Sequence, residues 1–430
     1  MTASLIGFLI AFALIFLRVP ISVSLALTGF GGLVALSGWT PAMSTLVMSV
    51  KSSTMSYTLS VLPLFVLMGN LVAGAGISGN LFKAAQLFVG RQRGGLAMAT
   101  ILACGGFGAI CGSSAATAAT MAKVAIPPMR ELGYADRLTA ATLAAGGTLG
   151  ILIPPSVIMV IYGVSTQTHI GKLFAAGIIP GIIGILFYMA AVKWTVWRDP
   201  SSAPVAPDTG WADKFATLKG LWPVIALFGL VMGGIYGGWF TATEAAGIGA
   251  AGAFAFALTQ RSLKLRDIGN ILVDTALVST AMFAILFGAS MFVEFVNLTG
   301  IHKGLEALVK GSGANPFSVV LMIIGVYIVL GCLLESISMI LITIPIFFPI
   351  VMALGYDPVW FGIIVVVATE IGLITPPIGV NLFVIRSIAP EISMRTILSG
   401  MGPFITMDLL RILLLAAVPV ITIWLPNLLF

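Results

Sequence analysis

Charge is scarce in this chain. Only 8% of its 430 residues are Asp, Glu, Lys or Arg, against 59% hydrophobic. A water-soluble surface needs about a quarter charged residues, so a soluble fold is excluded. With a mean hydropathy of +1.13, the composition is that of a polytopic α-helical protein embedded in a lipid bilayer. Histidine is limited to His169 and His302, and cysteine to Cys104, Cys111 and Cys332. The cysteines lie unpaired in apolar or Gly-rich stretches, which indicates small core residues rather than a disulfide framework or a transition-metal site. There is no Gly-Lys-Thr/Ser phosphate loop for ATP hydrolysis. The regularly spaced arginines of a voltage sensor are missing too, as is a nucleophile with a base or metal cluster, so an enzyme is not indicated. The net charge of +6 is accounted for by membrane orientation and requires no nucleic acid.

What is present is proline in unusual places. Gly150-Ile151-Leu152-Ile153-Pro154-Pro155 and Gly372-Leu373-Ile374-Thr375-Pro376-Pro377 lie 222 positions apart (376 − 154), each inside a hydrophobic run. Proline lacks an N–H and clashes with the carbonyl four residues back, so the carbonyls of Gly150, Ile151, Gly372 and Leu373 are expected to be freed. In hydrocarbon an unsatisfied backbone group costs several kcal/mol, roughly, unless protein, water or an ion satisfies it. Breaks at matching points of two halves point to a transporter's binding site.

Apolar windows of about 20 residues predict spans near 2–17, 21–38, 58–75, 138–165, 170–192, 220–238, 242–259, 271–293, 358–385 and 402–426. The run at 2–17 has neither a basic leader nor a small-residue cleavage motif and reads as a retained span. Two stretches, 94–129 and 314–352, are too long for one span and carry turn residues at Cys111-Gly112-Ser113-Ser114 and Leu334-Glu335-Ser336. They read as re-entrant helical hairpins. At the same offset of 222, Ser114 matches Ser336, Pro127 matches Pro349, and Leu132-Gly133-Tyr134 matches Leu354-Gly355-Tyr356. The expectation is an all-α inverted repeat of about 10 or 11 transmembrane helices plus two hairpins. Residues 1–194 form the first repeat, 195–218 a cytoplasmic linker and 219–430 the second repeat. With the N-terminus outside, fifteen Lys and Arg fall on the cytoplasmic side against Lys51, Lys172, Lys303 and Lys310 outside, as the positive-inside rule asks. Mixed-polarity segments Gly79 to Arg93 and Gly300 to Gly311 read either as interfacial arms joining a fixed scaffold to a mobile core or as plain connectors.

At the first tip, carbonyls ending one half-helix and N–H groups beginning another meet near the midplane, so Ser113 and Ser114 suit ions unless they only cap a turn. Glu335 and Glu370 are carboxylates at membrane depth, able to hold a cation or proton, or else a turn cap and an inter-helix contact respectively. Thr375 and Asn381 add neutral oxygens, which suit a hard monovalent cation, sodium above all. Lys123 either attracts an anion or, the favoured reading, snorkels to the interface. Asp408 and Arg411, at i and i+3, are expected to pair. Thr241 and Glu244 form a capping-box pattern.

Taken together, Leu62-Pro63-Leu64-Phe65, Gly112-Ser113-Ser114, Gly150 to Ser156, Thr243-Glu244-Ala245-Ala246, Leu334-Glu335 and Gly372 to Asn381 resemble the large membrane subunit of tripartite ATP-independent periplasmic (TRAP) transporters, within the ion-transporter superfamily. The likeness covers essentially the whole chain. It departs at Thr241-Ala242-Thr243-Glu244, where members commonly have Thr-Pro-Thr-Glu. The resemblance implies a sodium-driven elevator-type importer of organic acid anions, including sugar acids, in the bacterial inner membrane. It implies a four-span small membrane subunit and a periplasmic substrate-binding protein as partners, and no organic cofactor. Carried onto this chain, it implies sodium sites at Ser113, Ser114, Gly150, Ile151 and Pro154, and at Glu335, Ser336, Gly372, Leu373, Thr375 and Pro376. Substrate would meet Ser113, Ser114, Ser156, Glu335 and Asn381. A stand-alone dicarboxylate or citrate symporter and an ion channel are the other readings, and coupling stoichiometry separates them.

Overall fold

The computed structural model describes residues 2–205, 220–260, 263–301, 303, 304, 307, 311, 313 and 315–430, and no β-strand occurs among them. The first half contains α1 (Thr2–Phe16), α2 (Ile21–Ser37), α3 (Trp39–Thr54), α4 (Val61–Gly74), α5 (Ile77–Val89), α6 (Gly95–Cys111), α7 (Ser114–Glu131), α8 (Asp136–Leu152), α9 (Val157–Thr166) and α10 (Ile170–Arg198). The second contains α11 (Trp222–Tyr236), α12 (Ala242–Thr259), α13 (Leu265–Thr299), α14 (Pro316–Gly331), α15 (Ser336–Ala353), α16 (Pro358–Ile374), α17 (Val380–Ile388), α18 (Met394–Ala417) and α19 (Val420–Leu429). Five helices are individually long and apolar enough to cross a bilayer, and bent pairs raise the number to seven.

The repeat is structural as well as sequential. Helices α7 and α15 are both 18 residues long, and α8 and α16 both 17, with first residues 222 apart in each case (336 − 114, 358 − 136). Both α7 and α15 end in the same turn. Gly133 and Gly355 take left-handed φ of 78° and 83°, while Tyr134 N–H bonds the Met129 carbonyl at 2.9 Å and Tyr356 N–H the Val351 carbonyl at 3.3 Å. That six-to-one bond satisfies a carbonyl the helix end would otherwise leave bare, and glycine supplies the conformation without a Cβ penalty.

The two copies run in opposite directions. The Tyr162 hydroxyl, near the end of α9, donates to the Pro358 carbonyl at the start of α16 at 2.7 Å. Arg130, at the end of α7, pairs with Asp136 at the start of α8 and with Glu391 beyond α17. So the first broken span starts on the face where the second ends, and the hairpin mouths at Glu131 and Ala353 lie on opposite faces. Exposed tryptophans, Trp39 and Trp239 among them at 63% and 77%, suit the headgroup region on this architecture.

At the centre, every residue of α16 from Val359 to Ile374 is buried, and α8 is buried from Leu138 onward. Periphery and centre therefore differ by position rather than by composition, because lipid accepts the same side chains as a core.

Several span boundaries differ from the expectation. Residues 39–54 form α3, unanticipated because its seven Ser and Thr and Lys51 depress hydropathy, and it meets α4 at a 53° bend. Helix α13 runs 35 residues, well beyond 271–293. The last predicted span, 402–426, divides at Val418, because Pro419 has no N–H to continue the ladder of α18. The first arm is a helix, but it buries Ile77, Phe82, Ala84 and Ala85 while Phe88 is 70% exposed, so its apolar face is rotated from the expected one. Half of the second arm and positions 206–218 of the linker lie outside the described residues. The capping box forms, with Thr241 Oγ1 accepting from Glu244 N–H at 3.3 Å and Glu244 Oε2 accepting from Thr241 N–H at 2.8 Å.

Candidate functional site

Both hairpin tips and both breaks open on one cavity of about 110 Å³, lined by Gly112, Ser113, Ser114, Ile151, Glu335, Ser336, Leu373 and Asn381, with Met282 of α13 on the far wall. Cavities that small hold a few waters or a small solute.

The first tip is possible because glycine stands where a side chain would collide. Gly112 turns left-handed at φ 65°, and its N–H returns to the Gly108 carbonyl at 3.0 Å. A Cβ on Gly108 would lie 2.7 Å from the Gly150 Cα, so hairpin and break pack backbone on backbone. The second half repeats this: a Cβ on Gly372 would lie 2.4 Å from the Gly331 carbonyl carbon. Close approach of this kind brings main-chain oxygens of two segments to one place, which bulky residues forbid. The Ile378 N–H donates to the Cys332 carbonyl at 3.3 Å, fastening the second tip to its break.

Four helix N-termini meet around the cavity. Ser113 caps α7, its Oγ accepting from Ala116 N–H at 3.4 Å. Ser156 caps α9, accepting from Met159 N–H at 3.3 Å. Glu335 caps α15 with Oε2, accepting from Ile337 N–H at 3.1 Å and Ser338 N–H at 3.4 Å. The cap of α17 is Gly379, at φ 59°, which brings no side chain to the helix end. Opposed to these are the C-terminal ends of α6, α8, α14 and α16, so partial charges of both signs converge, one set suited to anions and the other to cations.

Of the four carbonyls expected to be bare, two have donors. Ser156 Oγ donates to the Ile151 carbonyl at 2.5 Å. Thr375 N–H reaches the Gly372 carbonyl at 3.2 Å in a tighter turn, and Thr375 Oγ1 donates to the Ile371 carbonyl at 2.5 Å. The helical partners of the Gly150 and Leu373 carbonyls are Pro154 and Pro377, which have no N–H to offer. Both Pro–Pro bonds, Pro154–Pro155 and Pro376–Pro377, are cis. Ser156 is fully buried with its hydroxyl committed to backbone, and it does not appear on the cavity wall.

Asn381 joins the halves. Its Nδ2 donates to Ser114 Oγ at 2.7 Å and to the Ala144 carbonyl at 2.9 Å, and the residue is completely buried. Thr117, which the sequence reading passed over, is also completely buried, and its Oγ1 lacks a hydrogen-bond partner. A Cβ on Gly150 would lie 2.5 Å from that hydroxyl and 2.8 Å from the Ser113 carbonyl oxygen. Thr117 sits one helical turn after Ser114, a spacing that places both on one face and was the available signal. This group of neutral oxygens fits a hard monovalent cation.

The remaining charged residues lie elsewhere. Arg411 Nη2 pairs with Asp408 Oδ1 at 2.8 Å, as expected, but also with Glu370 Oε2 at 2.5 Å. Tyr188 donates to Asp408 Oδ2 at 2.7 Å. Glu370 therefore makes the inter-helix contact, away from the tip cavity. Lys123 is exposed on α7, consistent with snorkelling. The three cysteines are free and buried.

A second cavity of about 510 Å³ is walled by the same helices α9, α13 and α15, one to two turns along each: Val164 and Ser165, Leu286 and Ser290, Leu341 and Ile344. It extends to Ser52, Ser53 and Ser56 at the end of α3 and to Glu294 and Asn297 on α13.

Residues 8–421 match the family described as "Tripartite ATP-independent periplasmic transporter, DctM component". The chain is 36% identical over 402 residues to the C4-dicarboxylate TRAP transporter large permease protein DctM of Pseudomonas aeruginosa, covering 93% of each protein. It is 31% identical over 434 residues to the ectoine TRAP transporter large permease protein TeaC of Halomonas elongata, covering 100% of this chain and 99% of that one. Among solved structures it resembles the YdaH transporter of Alcanivorax borkumensis with a TM-score of 0.65 at 16% identity over 90% of both chains, a likeness of fold. The chain belongs to the DctM component family, the large permease subunits of TRAP transporters.

Proposed function

We propose that this permease is the large subunit of a sodium-gradient-driven importer of carboxylate-bearing solutes, organic acid anions and sugar acids among them, across the bacterial inner membrane. A periplasmic binding protein delivers the solute, and a four-span small membrane subunit completes the complex, with the N-terminus of this chain on the periplasmic side. The observation that carries the reading is the single cavity shared by both tips and both breaks. Sodium would be held in the first half by Ser113 and Gly150 with Thr117, and in the second by the Glu335–Ser336 tip with Leu373 and Thr375. When bound it supplies positive charge beside the place where a carboxylate sits. The helix N-termini of α7, α9 and α17 orient that carboxylate, and the apolar wall from Ile151, Val157, Ile158 and Met282 excludes water from it. Interrupted helices let both ions bind without a charged side chain in the first half, where hydration would otherwise have to be replaced at greater cost. The hairpins and broken spans would then slide as one body against the peripheral helices, carrying solute and sodium together.

Uptake of labelled organic acids into proteoliposomes holding the purified complex, with an inward sodium gradient and with potassium in its place, tests this. Accumulation only with sodium supports it. Equal uptake in both, or a current far exceeding solute flux as a channel gives, sinks it.

A further inference from the structure

We propose a binding site for an anionic phospholipid at the membrane rim where the start of α6 meets the end of α10. Arg93, Lys193 and Arg198 hold its phosphate, and Trp194 and Trp197 lie beside its glycerol and upper acyl chain. The two helix ends are in close contact. Gly94 takes a left-handed φ of 75°, and a Cβ on it would lie 3.0 Å from both Val192 Cγ1 and Val196 Cγ2 of α10. Arg93 precedes that glycine, while Lys193 and Trp197 follow the two valines, so all three stand at the rim of one contact. Lys193 and Trp197 are four residues apart and share a helix flank, as do Trp194 and Arg198. All five are exposed, the tryptophans at 49% and 75% with ring centroids 5.6 Å apart.

Charge on this rim is unbalanced. On the same face Arg130 is answered by Asp136 and Glu391, and Arg137 by Asp199. Asp199 follows Arg198 directly, yet its oxygens go to Arg137 and to Ser201. Among the described residues, no carboxylate lies within ion-pair distance of Arg93, Lys193 or Arg198. Helical side chains tilt toward the N-terminus, which for the spanning helix α10 is across the bilayer, so Lys193 and Trp197 lean from the rim toward the headgroups rather than out to water. Indole rings favour that level, and each basic residue there raises the preference for an anionic headgroup about fivefold. A free anion would answer the basic groups and leave two indoles uncovered, whereas a phospholipid occupies both. A bound headgroup bridges the base of the first hairpin and the end of α10. None of these residues lines the tip cavity, so the inference is independent of the importer reading.

The test uses the purified full chain in phosphatidylcholine nanodiscs doped with brominated phosphatidylglycerol or brominated phosphatidylcholine, the bromines near the glycerol end of the acyl chains so that the dopant quenches neighbouring tryptophan. Phosphatidylglycerol is expected to reach half of its quenching at a mole fraction at least about tenfold below that of phosphatidylcholine. Joint replacement by Arg93→Gln, Lys193→Gln and Arg198→Gln is expected to bring that ratio to about one. The charge-conserving set Arg93→Lys, Lys193→Arg and Arg198→Lys is expected to keep it. Trp194→Phe with Trp197→Phe is expected to remove the excess quenching, which places the lipid at this rim and not elsewhere on the chain. Because all five side chains are exposed, every variant is expected to keep the wild-type melting curve. Equal quenching by the two lipids, a preference that survives the glutamine variant, or excess quenching that survives the phenylalanine variant each overturn the proposal. So does inorganic phosphate abolishing the preference where chloride of the same ionic strength does not, since that marks a site for a free anion.

Discussion

Asn381 and Ser114 are 267 residues apart in sequence and share a buried hydrogen bond, Nδ2 to Oγ at 2.7 Å. One belongs to the half-helix after the second break and the other to the first hairpin's tip. Neither copy of the repeat therefore forms its half of the site alone. The same amide holds the Ala144 carbonyl of α8, so a single side chain ties three segments of the central assembly.

Asn381→Ala leaves the Ser114 hydroxyl and the Ala144 carbonyl buried and under-satisfied, which costs about 1–3 kcal/mol per lost buried group. A melting temperature several degrees lower and loss of most uptake are expected, measured by thermal unfolding in detergent beside proteoliposome transport. A wild-type melting curve with intact uptake contradicts this.

Removing Arg411 strands Glu370 and Asp408, both fully buried. Breaking one side of a buried ion pair costs about 3–5 kcal/mol, so Arg411→Met is expected to give little folded protein. Adding Glu370→Gln and Asp408→Asn to it should restore much of the yield, because it is the uncompensated charge that destabilises. Size-exclusion recovery of the single and triple variants reads this out, and a triple variant as poor as the single one argues against it.

Gly372→Ala must place a methyl 2.4 Å from the Gly331 carbonyl carbon, a contact with main chain that cannot rotate away. Overpacking of this kind costs about 1–3 kcal/mol. The variant is expected to insert in the membrane but transport at a small fraction of the wild-type rate, with Gly325→Ala, whose Cβ meets nothing within 4 Å, as the tolerated control. Equal rates for the two substitutions would refute the close-packing account.

Thr117→Val removes a buried hydroxyl that has no hydrogen-bond partner, so stability should hold or rise. If that hydroxyl is a cation ligand, the sodium concentration for half-maximal uptake rises about tenfold, the loss of about 1.4 kcal/mol. Sodium titration of transport separates the two effects. An unchanged sodium dependence removes Thr117 from the site.

Composition and local pattern alone were enough for the class of molecule, the hairpins, the breaks and the repeat, because each rests on properties carried by residues one at a time or by near neighbours: scarce charge, missing proline N–H groups, glycine and serine at turns. Chain reversal at Gly112 and capping by Glu335 are local events, and so they were legible. Span limits were less so. Helix α3 is amphipathic enough to escape a hydropathy window, and α13 continues past its apolar stretch because packing against neighbours, not hydropathy, sets its length.

Tertiary structure decided which groups meet. That Glu370 answers Arg411 rather than an ion, that Ser156 and Thr375 satisfy carbonyls expected to be bare, and that Asn381 reaches Ser114 all depend on distances between segments far apart in the chain. The physical reason is that membrane depth penalises any unpaired polar group. The sequence can therefore announce that partners must exist, while only the packed arrangement of helices chooses which partner each group finds.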